Sequence, residues 1–124
     1  MGTLSTGKLQ ASLKALEQRR GRLLKGFLRD EELAVGTVSE VRARCGKSGC
    51  WCAHGDGHPQ MRLLYAEGGT RRCKLVRKAD ADRIRKAGER YRRLKRAHRE
   101  LRALNGRELR LLRELIRKRA IRYR

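Results

Sequence analysis

The chain has 124 residues, with 34 Lys and Arg against 13 Asp and Glu, a formal net charge of +21 and a pI near 11.3. Only 4% of it is aromatic, which argues against one large core, and no segment approaches the roughly 20 apolar residues of a membrane span. Such charge destabilises a compact monomer unless a polyanion or counterions offset it.

Residues 6–29 read as a helix. Leu9, Leu13, Leu16, Leu23, Leu24, Phe27 and Leu28 recur at 3–4 spacing, broken only at Arg20. Ser5 or Thr6 can cap its start. Gly21 and Gly26 weaken its second half. Gly36 then opens GTVSEVRARC, which alternates and is β-branched enough for a strand. Further on, Met61–Ala66 and Arg71–Val76 flank Glu67-Gly68-Gly69-Thr70. Gly-Gly supplies the positive φ of a tight turn, so these two runs should pair as a hairpin. A three-stranded antiparallel sheet is expected.

From Ala79 the pattern is helical. Ile84, Ala87, Tyr91, Leu94, His98 and Leu101 form a heptad seam, continued by Asn105, Glu108, Leu112 and Leu115. Asp80 or Asp82 suits the start. Asn105-Gly106 favours a break, giving a helix pair over one long helix. The expected fold is α+β: an N-terminal amphipathic helix (1–34), a zinc-clipped β module (35–78) and a basic helical region (79–124).

Between the first strand and the hairpin lies RARCGKSGCWCAHGDGHPQ, with three of the four cysteines. Gly46-Lys47-Ser48 looks like the end of a phosphate loop, but Val41 stands where that loop needs glycine, and no helix follows. Cys52, His54 and Asp56 are too close in sequence to build a triad with an oxyanion hole. A zinc deaminase needs His-x-Glu before Pro-Cys-x-x-Cys, and neither is present. No enzyme is expected.

A metal fits better. Cys45, Cys50, Cys52 and His58 form C-x4-C-x-C-x5-H. Three thiolates and an imidazole suit closed, tetrahedral Zn2+. Gly46 and Gly49 let the backbone wrap the ion, and Gly55 and Gly57 let the loop return His58. His54 and Cys73 compete for the fourth position. Cys73 otherwise reads as a buried small hydrophobe in the third strand. With so weak a core, zinc contributes much of the stability.

These residues also carry a resemblance. Gly36-Thr37-Val38, Glu40-Val41, Arg44-Cys45-Gly46-Lys47, Cys50-x-Cys52-Ala53 and Gly55-Asp56-Gly57-His58 resemble small bacterial and phage proteins carrying RCGKxxCxCAxGxxHG, a Y-x-L strand and a basic helix. Those proteins are often encoded beside transposases and integrases. The resemblance covers roughly residues 35–100. It implies a Cys3His site on Cys45, Cys50, Cys52 and His58, and an association with mobile DNA. Pro59 departs from the pattern, at the loop exit.

The positive charge is concentrated late in the chain. Residues 71–124 carry 23 basic and 6 acidic residues, net +17. Arg outnumbers Lys, and Arg forks onto phosphates and stacks on bases. DNA or RNA is therefore the expected partner, met by Arg42, Arg44, Lys47 and Trp51 around the loop, by Arg62, Arg71, Arg72, Lys74, Arg77 and Lys78 on the hairpin, and by Arg85, Lys86, Arg92, Arg93 and Arg96 on the helix. The protein reads as an accessory subunit of a recombinase- or transposase-type complex. The alternative is a coiled-coil protein that oligomerises or docks a partner through its Leu stripes. Membrane binding is not expected, because the C-terminal helix has a narrow apolar face. Without a signal-peptide pattern the expected compartment is the cytoplasm, where thiols stay reduced.

Overall fold

Two long helices bracket a three-stranded sheet in chain order: α1 (Thr6–Leu28), β1 (Thr37–Ala43), β2 (His58–Glu67), β3 (Thr70–Val76) and α2 (Ala81–Arg119), with 3-10 turns at Trp51–His54 and Lys78–Asp80. This computed structural model describes residues 5–123. Met1–Leu4 and Arg124, at the ends of the expected outer regions, lie outside the described residues. The chain divides into two units: residues 1–30 with 94–124, and residues 31–93.

In the first unit, Ser5 caps α1, its hydroxyl accepting from the Lys8 N–H at 3.2 Å. Leu9 and Leu16 are buried, with Leu13 and Leu23 half-buried on the same stripe. Leu24, Phe27 and Leu28 are exposed. From α2, Leu104 and Leu115 are buried, and Leu94, Leu101 and Leu111 are half-buried. The C-terminal seam therefore runs through Leu104 and Leu111, where Asn105 and Leu112 were expected. His98 is likewise exposed. Burying Asn105 would strip its amide of water.

The polar gap in each stripe meets the other. Arg20, which interrupts the α1 stripe, donates to Asn105 Oδ1 at 2.8 Å and also bonds Glu108. Beside it Arg19 grips Glu100 through two bonds of 2.8 and 2.9 Å. This pairing orders the two segments antiparallel: Gly26 approaches Leu94, while Arg20 reaches Asn105 and Glu108.

The expected break at Asn105-Gly106 is absent. Helix α2 is continuous, and Gly106 is not among the glycines with positive φ. A helical glycine costs about 1 kcal/mol relative to Ala. Packing of Leu104 and Leu115 and the Arg20 bonds on either side of Gly106 offset that.

In the second unit the strand order is β1-β2-β3, all antiparallel. Gly68 and Gly69 take φ +55 and +81, the positive pair that a two-residue turn between Glu67 and Thr70 requires. Strand β2 begins earlier than expected, at His58, which pairs with Ala43. Val38, Met61, Leu63 and Val76 share one sheet face by register. Helix α2 lies on that face: a Cβ on Gly88 would stand 2.6 Å from Val38 Cγ2. Met61 and Ala87 are buried there, as is Ala34, whose N–H donates to Ala87 O at 3.2 Å. Arg83 grips both Glu32 oxygens at 2.7 Å, which holds the Glu32 carboxyl below its usual range. Arg90 reaches Glu31 at 3.4 Å, and Arg85 reaches Glu40.

The glycines on the helices separate two effects. Gly21 has open space and Gly106 meets only the end of Arg110 at 3.7 Å. Gly21→Ala and Gly106→Ala should each raise stability by about 0.5–1 kcal/mol in denaturant titrations. Gly88→Ala, driven against Val38, should lower it by about 1–3 kcal/mol.

Candidate metal centre

The side chains of Cys45, Cys50, Cys52 and His58 converge, with their ligand atoms all within 4.8 Å of one another. Four donors around a tetrahedral ion stand about 3.4–3.8 Å apart. Here Cys50 Sγ is 3.1 Å from His58 Nε2, and Cys45 Sγ is 3.4 Å from Cys52 Sγ. The four residues can hold a metal ion.

Local backbone explains the convergence. Cys45 follows the end of β1, and Cys50 and Cys52 sit at the start of the 3-10 turn. Gly57 adopts φ +97, and a Cβ there would stand 2.4 Å from the Ala43 carbonyl carbon. Only glycine tolerates both. That close approach lets β2 start against the end of β1, which places His58 opposite Ala43 and near Cys45. Arg42 and Arg44 tie down the returning loop, donating to Gly57 O at 3.1 Å and Gly55 O at 3.2 Å. The Trp51 ring meets His58 edge-on, centroids 4.9 Å apart, and still shows 62% of its surface.

The thiols differ. The Cys45 thiol is drawn down to about 7, first by the Lys47 backbone N–H and then by Cys52. For Cys52, fully buried, the Cys45 N–H favours the thiolate, but burial and the sulfurs of Cys45 and Cys50 outweigh it and push the thiol up. Crowded thiolates repel one another unless a cation lies among them, and a metal ion held here would supply that charge.

The alternatives for the fourth ligand stand elsewhere. His54 is exposed and outside the cluster. Cys73 is exposed in β3 opposite Leu64. The expectation of a buried Cys73 fails because its face of the sheet is not covered by α2.

A family model described as a domain of unknown function, DUF6788, matches residues 8–86. The chain belongs to this family. The match runs from α1 to the first turns of α2 and includes the whole Cys/His cluster. No curated protein and no solved structure matches.

Of the family member's expected polyanion contacts, several have internal work. Besides Arg42 and Arg44, Arg62 donates to Gln60 Oε1 at 3.1 Å, Arg72 lies 3.6 Å from Glu67, and Lys74 sits 5.7 Å over the Tyr65 ring. Arg85 bonds Glu40 and Asp82. Lys47, Arg71, Arg77, Lys78, Lys86, Arg92, Arg93 and Arg96 are exposed and make no ion pair among the described residues. Arg102, Arg110 and Arg113 are exposed in the same way. The sequence signal for them was there, in the Arg-rich run beyond residue 96.

Cobalt(II) reports thiolate ligation by its charge-transfer absorption. The wild type, His54→Ala and Cys73→Ser should each bind one equivalent. His58→Ala should weaken binding by at least about 10-fold, the scale of losing a contact in or near the shell. Gly57→Ala should do the same without removing any ligand.

Proposed function

We propose that this chain is a non-catalytic nucleic-acid-binding protein whose Cys45, Cys50, Cys52 and His58 hold a structural Zn2+. The observation that carries the reading is the excess of uncompensated cations. With 34 Lys and Arg against 13 acids, and many of the described carboxylates already paired inside the fold, the remaining positive charge needs a polyanion. Phosphate contacts from exposed Arg and Lys meet that need and release condensed counterions. Arg supplies bidentate contacts on phosphate.

The donor set favours zinc. Three thiolates and an imidazole match a closed structural site, with no position left for substrate. When bound, zinc supplies a crosslink between the end of β1, the 3-10 turn and the start of β2. The protein's own groups shape that site: Gly57 brings the strands together, and Arg42 and Arg44 fasten the loop carbonyls. No helix among the described residues is long and apolar enough to cross a membrane. Thiol ligation suits a reducing cytoplasm. The resemblance to proteins encoded beside transposases supports a role as accessory subunit of a mobile-element complex, adding affinity while another chain performs the chemistry.

A second reading has its own support. Leu109, Leu112 and Ile116 form an exposed apolar stripe on α2, at 64%, 41% and 69% exposure, fit for oligomerisation or a helical partner. Light scattering with size exclusion separates the two: a stable oligomer that ignores DNA and RNA favours the stripe.

For about 6–10 phosphate contacts, affinity measured by fluorescence anisotropy should fall about 10³–10⁵-fold between 50 and 200 mM salt. A flat salt response sinks the nucleic-acid reading. Chelation of the purified protein should release about one zinc and lower the melting temperature of the β module, and an unchanged melt on zinc loss excludes the structural role.

A further inference from the structure

Gly106 stands inside α2, where glycine weakens a helix. The fold does not require it. Its φ is not positive, and beyond the helix backbone an added Cβ would meet only Arg110 Nη1, at 3.7 Å. On the outside it is surrounded by positive charge. At about 100° per residue, Arg99, Arg102, Arg110 and Arg113 project within about 40° of the Gly106 direction. Leu104, Leu111 and Leu115, the inward stripe, lie about 140–180° away. The four arginines are exposed and make no ion pair among the described residues. The acids of this stretch are engaged elsewhere: Glu100 with Arg19, Glu108 with Arg20 and Glu114 with Arg117. All of this lies in the unit of residues 1–30 and 94–124. The pattern is R-x2-R-x3-G-x3-R-x2-R, two arginines on each side of a gap with no side chain in it. The middles of the two pairs are about 16 Å apart along the helix, at about 1.5 Å per residue.

Bare backbone between two pairs of unpaired guanidinium groups fits a helix that crosses a groove between two rows of phosphates. The major groove of B-form DNA is about 12 Å wide and admits an α-helix, so the two pairs fall just beyond its edges. The major groove of duplex RNA is deep and narrow and does not admit one. A single strand offers one row of phosphates, not two. We propose that this face of α2 docks across the major groove of double-stranded DNA. Gly106 lies over the groove, where the missing side chain lets the backbone approach closely. Arg99 and Arg102 meet the phosphates of one strand, and Arg110 and Arg113 those of the other. Arg110 reaches Gly106 only with the far end of a flexible side chain, which can swing onto a phosphate. This rests on the nucleic-acid reading above and narrows it to the DNA duplex. Because the contacts are to phosphate, they select duplex form and not base sequence.

Fluorescence anisotropy with the full-length protein at one fixed salt concentration compares three labelled probes: a DNA duplex, an RNA duplex of the same sequence and length, and the single DNA strand. The DNA duplex should bind at least about 10-fold tighter than either of the others. Gly106→Leu should lower affinity for the DNA duplex about 10-fold, the scale of losing one or two phosphate contacts, while its melting temperature stays at or above that of the wild type. Gly21→Leu on α1, where an added Cβ would meet nothing, should leave that affinity as it was. Arg99→Ala and Arg113→Ala, one from each pair, should each flatten the slope of log affinity against log salt on the DNA duplex by about 1. Both side chains are exposed, so these variants test the face even where Gly106→Leu fails to fold. Equal affinity for the three probes, or a preference for the RNA duplex or the single strand, overturns the proposal and leaves the general nucleic-acid reading standing. Wild-type affinity in a folded Gly106→Leu overturns it too. Binding to polyglutamate and to none of the three probes removes both readings together.

Discussion

Carboxylates are scarce in this protein, and where they sit governs both the fold and the surface. Thirteen acids face 34 cations. In one unit Glu100 and Glu108 fasten α2 to Arg19 and Arg20 of α1. In the other, Glu31, Glu32 and Glu40 fasten Arg90, Arg83 and Arg85. These pairs are partly or largely exposed, and such pairs contribute little energy singly. Their value lies in position: each joins segments distant in sequence, and each neutralises a cation that would repel its neighbours there. Many of the arginines left over stand exposed on the surface.

The second constraint is the approach of Gly57 to Ala43. It makes one end of the sheet a point where β1 stops, β2 starts and four side chains able to hold a metal ion meet. The buried apolar side chains of this unit are few, Ala34, Cys52, Met61 and Ala87 among the described residues, so hydrophobic burial alone does little to fix this end. An ion held by Cys45, Cys50, Cys52 and His58 would add the crosslink that the core lacks. A cleft lined in part by His58 and Met61 opens at the same end of the sheet.

Much of this was legible in the chain. The Ser5 cap, the α1 stripe, the Gly68-Gly69 turn and the C-x4-C-x-C-x5-H set are local patterns with local physics behind them. Local periodicity failed where packing chooses between near-equal options. Asn105-Gly106 reads as a stop, yet Arg20 satisfies Asn105 and the flanking leucines are buried, so the helix continues. The seam shifts to Leu104 and Leu111 for the same reason. Arg42 and Arg44 looked like free surface cations, and no spacing rule reveals that they hold the loop carbonyls.

The sequence by itself determined the elements, their order, the excess charge and the ligand chemistry, because caps, turns, alternation and thiol–imidazole affinity depend on residues near one another. Tertiary structure decided which histidine joins the three cysteines, which arginines remain free and where a cleft opens. Those depend on Cα paths meeting across gaps of many residues. A φ of +97 at Gly57 selects His58 over His54, and no count of intervening residues contains that angle.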